Sequence, residues 1–198
     1  MSSSQIALPE MSGRRDGDPA SGRKDRERNR RRILESGQVT FRDRGIDTPV
    51  TAVARRAGLA PSSVHRHFPT KRGLVEELAR VTFTQYVGVL RAGAASVDPL
   101  AGLAGALRRC VALQAAGYVC TEGFVQAFPD HAARYSAEIE RRLDALLDAA
   151  VESGQVRRDV GHDDLRLLLE AVDGVVRSRS GAHEPAQRLV THFLRAVR

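Results

Sequence analysis

A chain of 198 residues, 42% of them apolar, is long enough to bury a sizeable core, as one large domain or two small ones. Few aromatics, no tryptophan and an abundance of alanine, leucine and arginine favour a mainly helical protein over a β-rich or disordered one. The net charge of +7 lies wholly in residues 1–80, where 17 Lys+Arg face 10 Asp+Glu; residues 81–198 carry 14 of each, an asymmetry that points to a region meeting a polyanion, either nucleic acid or an anionic membrane surface.

No apolar run approaches the ~20 residues that span a bilayer, and the N-terminus lacks the apolar stretch of a signal peptide, so a cytoplasmic location with no membrane partner is expected. Residues 1–22, rich in Ser, Gly, Pro and charge, are expected to be a disordered basic tail. From Arg23 to Arg32 seven of ten residues are Lys or Arg, which fits a solvated helix end or a basic arm lying along phosphates. Helix one is expected over about Arg26–Arg44, with Ile33, Leu34, Gly37 and Phe41 on one face and Gly45 as its stop. Thr48 reads as the N-cap and Pro49 as the first residue of helix two, which turns Val50, Val53, Ala54 and Ala57 inward and ends at Gly58.

The segment Val50–Phe68 carries the strongest local signal. Two short helices that cross steeply need a small residue at their closest approach and a residue comfortable at positive φ in the turn. They also need apolar residues on the second helix facing the first. Ala54, Gly58, Leu59 and Val64 supply these in order, and Phe68 closes the unit.

From Arg30 to Leu78 the chain resembles the DNA-binding head of the TetR family of one-component transcriptional regulators. The resemblance rests on an Ile-Leu start to helix one, a Phe-x-x-x-Gly end, the Val-Ala-Arg-Arg-Ala-Gly turn, and a recognition helix ending in His-Phe-Pro-Thr-Lys before a fourth helix. It departs from the family pattern at Gly37 and Thr40, at His65 where Tyr is common, and at Gly73 early in helix four. The recognition helix, about Pro61–Phe68, is expected in the major groove with Pro61, Ser62, Arg66 and His67 nearest the base edges; Arg66 has the fork geometry to read guanine O6 and N7. The resemblance makes Ser63, His65 and Lys71 phosphate contacts, with Thr48 at the start of helix two beside another phosphate.

The remaining two thirds, residues 81–198, are expected to be a helical ligand-binding and dimerisation domain following a head over 23–80. Helix four is expected over about Lys71–Ser96 and the next from Asp98-Pro99 to about Tyr118. A short element follows at Thr121–Phe128, then helices over Asp130–Ser153, His162–Ser178 and Glu184–Val197. Aromatic residues cluster between 83 and 135, so Phe83, Tyr86, Gln114, Tyr118, Phe124, Phe128 and His131 are candidates for a small-molecule pocket, though each taken singly fits plain core as well. Leu165, Leu168, Leu169, Val172 and Val176, and Leu189, Val190, Phe193, Leu194 and Val197, recur at helical spacing. Core burial explains such stripes too, but the resemblance implies a four-helix dimer interface built from these last two helices.

No cofactor is expected. His65 and His67, two apart on one helix with no acidic or thiol neighbour, do not suit a metal, and no P-loop, GxSxG or HExxH motif suggests an enzyme. Asp163-Asp164 reads as an acidic helix start. Cys110 and Cys120 form no CxxC pair and read as half-buried thiols, with a redox switch as the alternative. The expected function is a ligand-responsive repressor that binds a pseudo-palindromic double-stranded operator as a homodimer and is released by a small-molecule effector. The alternative is a helical protein-interaction adaptor without sequence-specific DNA binding.

Overall fold

The computed structural model describes residues 19–115, 122–178 and 183–198; Tyr118, Cys120 and most of the expected tail lie outside the described residues. Among the described residues the chain is all-α, with helices α1 (Pro19–Arg44), α2 (Val50–Ala57), α3 (Pro61–His67), α4 (Lys71–Ala94), α5 (Pro99–Ala115), α6 (Glu122–Ala127), α7 (Pro129–Glu152), α8 (His162–Ser178) and α9 (His183–Ala196). No helix among them is long and apolar enough to cross a membrane.

Helix α1 starts earlier than the expected Arg26, so residues 19–22 are helical rather than part of a tail. Arginine and lysine are good helix formers, and the basic run propagates the helix towards its N-terminus, where Pro19 is tolerated because its missing N–H has no intrahelical partner. The α2–α3 turn follows the expected chemistry. Gly58 sits at φ 63°, ψ 36°, and the N–H of Leu59 reaches the Ala54 carbonyl at 3.0 Å while that of Gly58 reaches Arg55 at 3.2 Å, which satisfies carbonyls that the helix end would leave unpaired. Arg32 of α1 closes the same end by donating to the Ala57 carbonyl at 2.6 Å.

Two buried clusters organise the described residues. The first joins Ile33, Leu34 and Phe41 of α1, Val53 and Ala54 of α2, Val64 of α3, and Leu74, Val75 and Leu78 of α4, and it draws in Phe124 and Phe128 from α6 and its junction with α7. Gly37 faces this core; a methyl there would lie 3.1 Å from a Leu78 methyl, so the interior glycine admits that leucine. The second cluster surrounds α5, which is apolar on nearly every side and packs against α4, α7, α8 and α9. Burying each such Leu or Val contributes ~1.5–3 kcal/mol.

Helices α4 and α5 approach through Gly93 and Gly102: a methyl on Gly93 would stand 2.9 Å from the Gly102 carbonyl oxygen, and one on Gly102 would strike the Gly93 carbonyl. Asp98 starts α5 by accepting the Ala101 N–H at 2.9 Å, and Asp164 accepts the Gly161 N–H at 2.8 Å at the start of α8. Cys110 is buried in the second cluster, and burial pushes its thiol pKa up to about 12, so it stays protonated at neutral pH and lacks the thiolate that redox chemistry needs.

Candidate nucleic-acid interface and adjoining cavity

Helix α3 presents one side to solvent and one to the core. Val64 and Phe68 are buried, whereas Pro61, Ser62, His65 and Arg66 are exposed and Ser63 and His67 are half-buried. The Arg66 guanidinium donates to Ser63 Oγ at 3.2 Å, a neutral contact one helical turn back that a guanine edge can replace. Thr70 caps α4 by accepting the Gly73 N–H at 3.0 Å, which sets Lys71 at the first position of that helix, where helix dipole and ammonium both favour an anion. Gly73 has a structural reason as well: a methyl there would crowd the capping hydroxyl at 3.3 Å.

Thr48 does not cap α2. Pro49 takes that position with extended dihedrals, and the Thr48 hydroxyl instead donates to the Arg44 carbonyl at 3.1 Å, closing the end of α1. Pro49 has no N–H to lose at a helix start and its φ of −68° suits the cap, which moves the boundary one residue on.

The recognition helix is braced from behind by an ion network the sequence does not reveal. Glu77 of α4 accepts two hydrogen bonds from Arg80 and one from Arg30 of α1, each at 2.7 Å. Arg80 first, against opposing burial, and then Arg30 hold its carboxyl at a pKa of about 2. The Arg30 guanidinium also lies 5.3 Å from the ring centroid of Phe68, so one cation links α1, α4 and the end of α3. Arg30 and Arg32 are therefore engaged within the head, and the candidate basic arm is reduced to the residues before them.

Of the candidate pocket residues, Phe83, Tyr86 and Phe124 line a small chamber between α4, α6 and α7, and Phe124 and His131 border an outer cleft beside it. Phe128 sits in the first cluster, 5.2 Å from Phe124 between ring centroids and with the Arg72 guanidinium 4.5 Å above its ring. Gln114 belongs elsewhere: it donates to Asp173 of α8 at 2.9 Å and lines neither cavity. Sequence reasoning missed Ala79, Thr82, Tyr135 and Ile139, which complete the chamber; Tyr135 stacks on Phe83 at 4.2 Å with planes 11° apart. Helical spacing of one and two turns beyond His131 is a signal that could have found Tyr135 and Ile139.

The dimer candidates divide as well. Leu165, Leu168, Val172, Val190, Leu194 and Val197 are buried in this chain's own second cluster, so they face inward and have no surface for a partner. Leu169, Val176, Leu189 and Phe193 are half-buried, and Leu167, 66% exposed, is joined on the outer side of α8 by Ala171 and Gly174.

A small exposed helix, set by a glycine turn across a second helix and braced against a third, defines a helix-turn-helix DNA-binding protein. The family described as bacterial regulatory proteins, tetR family, matches residues 33–78, and the one described as transcriptional regulator SbtR-like, C-terminal domain, matches residues 98–198, just over half the chain. The chain belongs to the TetR family of transcriptional regulators. Among solved structures, the TetR transcription regulatory protein from Mycobacterium vanbaalenii is 31% identical at a TM-score of 0.62, over 89% of this chain and 98% of that one. The TetR regulator SCO0520 from Streptomyces coelicolor is 26% identical at a TM-score of 0.62, over 85% and 98%. PfmR from Thermus thermophilus, 22% identical over 83% and 97% at a TM-score of 0.69, shares the fold. No curated protein sequence matches the chain.

Proposed function

We propose that this DNA-binding regulator is a homodimeric repressor that leaves a pseudo-palindromic operator when a small molecule enters between α4, α6 and α7. Pro61, Ser62, Arg66 and His67 would meet base edges, and Ser63, His65 and Lys71 phosphates, with residues 23–80 as the head and 81–198 as the sensing and dimerising body. The dimer would form through the outer faces of α8 and α9, where Leu167, Leu169, Val176, Leu189 and Phe193 carry apolar surface that the chain's own core leaves partly uncovered.

The observation that carries the ligand response is the shared core. Phe124 and Phe128, beside the chamber, belong to the same buried cluster as Val64 and Phe68, which seat the recognition helix. Helix α4 starts next to that helix at Lys71 and passes the chamber at Thr82, Phe83 and Tyr86, so a change of packing at one end alters the other. A ligand shifts the balance between DNA-competent and released forms only by its difference in affinity for the two. The test is selection of bound sequences from a random duplex library with the full chain, followed by sedimentation of the complex. Recovery of an inverted repeat bound by two copies is expected; no enriched sequence, or a single copy on an asymmetric site, contradicts it. An adaptor without sequence preference would enrich nothing.

A further inference from the structure

Resting on the reading of the α4–α6–α7 chamber as the effector site, we propose that its ligand is a neutral, flat aromatic molecule bearing one hydroxyl. Thr82 anchors that hydroxyl, and the ring enters by displacing Phe124.

Thr82 is the anomaly that motivates this. Its residue is 4% exposed and its hydroxyl has no hydrogen-bond partner among the described residues. Two other helical threonines bond back to the carbonyl four residues earlier, Thr84 to Arg80 at 2.8 Å and Thr191 to Gln187 at 2.9 Å. Buried hydroxyls are almost always paired, so one left orphaned at a cavity wall points to a partner that comes from outside.

The chamber wall dictates the rest of the chemistry. Around Thr82 stand Ala79, Phe83, Tyr86, Phe124, Tyr135 and Ile139, with no ionisable acid or base among them except the tyrosine phenols. A charged group in the chamber would lose its hydration with no counter-ion to replace it, and the cleft outside adds Glu76, Glu77, Arg80 and His131, where Arg80 is already paired with Glu77 and both carboxylates disfavour an anionic ligand. The near-parallel Phe83–Tyr135 stack forms a flat side against which another flat ring packs.

The chamber has a volume of only about 20 Å³, enough for a water and no more. The outer cleft is about 330 Å³, and Ala79, Phe124 and Tyr135 border both. Phe124 comes from the six-residue helix α6, so its ring is the partition that moves with least disturbance to the long helices. Swinging it aside merges chamber and cleft into a site for one or two fused rings, and removes from the first cluster a ring packed beneath the head.

Calorimetric titration of the full chain with 2-naphthol, naphthalene and 2-naphthoate at neutral pH tests this. Wild-type protein is expected to bind 2-naphthol about tenfold or more tightly than either analogue, the preference one good hydrogen bond provides. Thr82→Val, which keeps the shape, should bring 2-naphthol and naphthalene to within about twofold of each other without weakening naphthalene. Phe124→Ala should raise the affinity for 2-naphthol by opening the partition in advance. No binding of 2-naphthol to wild type, equal binding of 2-naphthoate, or a preference that survives Thr82→Val overturns the proposal, as does weaker 2-naphthol binding by Phe124→Ala. Release of operator duplex is followed in the same samples: Thr82-dependent binding that leaves the DNA complex intact upholds the ligand assignment and removes only the effector reading on which it rests.

Discussion

Replacing Glu77 with Gln should cost stability at neutral pH and nothing in strong acid. The carboxylate accepts three charged hydrogen bonds from Arg80 and Arg30, and its pKa drops from 4.5 to about 2. At ~1.4 kcal/mol per pH unit that drop sets an upper limit of ~3.5 kcal/mol. Arg30 and Arg80 have side chains 35% and 60% exposed, so water and salt screen the pair and ~1–2 kcal/mol is the better expectation. The folded pKa lies below the unfolded one, so the contribution is complete above about pH 4.5 and is lost as pH falls through about 2. Urea unfolding followed by circular dichroism, at pH values from 7 down to 2.5, should show wild type and Glu77→Gln converging as the acid end is approached. Parallel stability profiles, or equal stability at pH 7, would refute the assignment of this network as the brace between α1 and α4.

Gly102→Ala should lower stability by ~1–2 kcal/mol in the same unfolding assay, because the clash with the Gly93 carbonyl outweighs the ~1 kcal/mol gain in helix propensity; a variant at least as stable as wild type would show that the α4–α5 crossing can relax. His162 should titrate above its usual ~6.5 in NMR, chiefly because Asp148 accepts its Nε2 hydrogen bond at 2.7 Å, so the stability this contact gives is complete below that value and fades as pH rises through the folded pKa. Asp148→Asn should bring the midpoint down, and an unchanged midpoint would contradict the contact. Leu167→Glu should weaken self-association roughly 100-fold or more by sedimentation, since two-fold symmetry loses ~1.5–3 kcal/mol of burial twice; an unaltered dimer would move the interface elsewhere.

The order of the helices was legible because their ends carry local chemistry. Gly58, Asp98-Pro99 and the Asp163-Asp164 pair each mark a boundary through a turn, a cap or a missing N–H, and each signal acts within a few residues. The Thr48–Pro49 boundary moved by one because a threonine and a proline both suit a helix start and only the backbone decides between them. Long-range choices were not legible. Helical spacing groups Leu165, Leu168 and Val172 on one face, but it is the same for a face turned to this chain's own α5 as for one turned to a partner. The ties of Glu77 to Arg30 and of Arg32 to the α2 end span 47 and 25 residues, and a basic run gives no hint which of its arginines will turn inward. In the DNA-binding head the exposure of Pro61, Ser62, His65 and Arg66 follows from burying Val64 and Phe68, so that part of the site could be read from periodicity. Thr82 could not, because an orphaned hydroxyl is a property of its surroundings.

In the proposed function α3 reads DNA sequence while the start of α4 holds the backbone. The most direct test of this is the affinity of the full chain for its selected operator against a scrambled duplex of the same length, at two salt concentrations, for wild type, Arg66→Ala and Lys71→Ala. Arg66→Ala should reduce discrimination at one operator position by ~1–3 kcal/mol and leave scrambled DNA almost unaffected. Lys71→Ala should weaken both duplexes alike and lower the salt slope by ~1. An Arg66→Ala loss of equal size on operator and scrambled DNA would contradict base reading by α3.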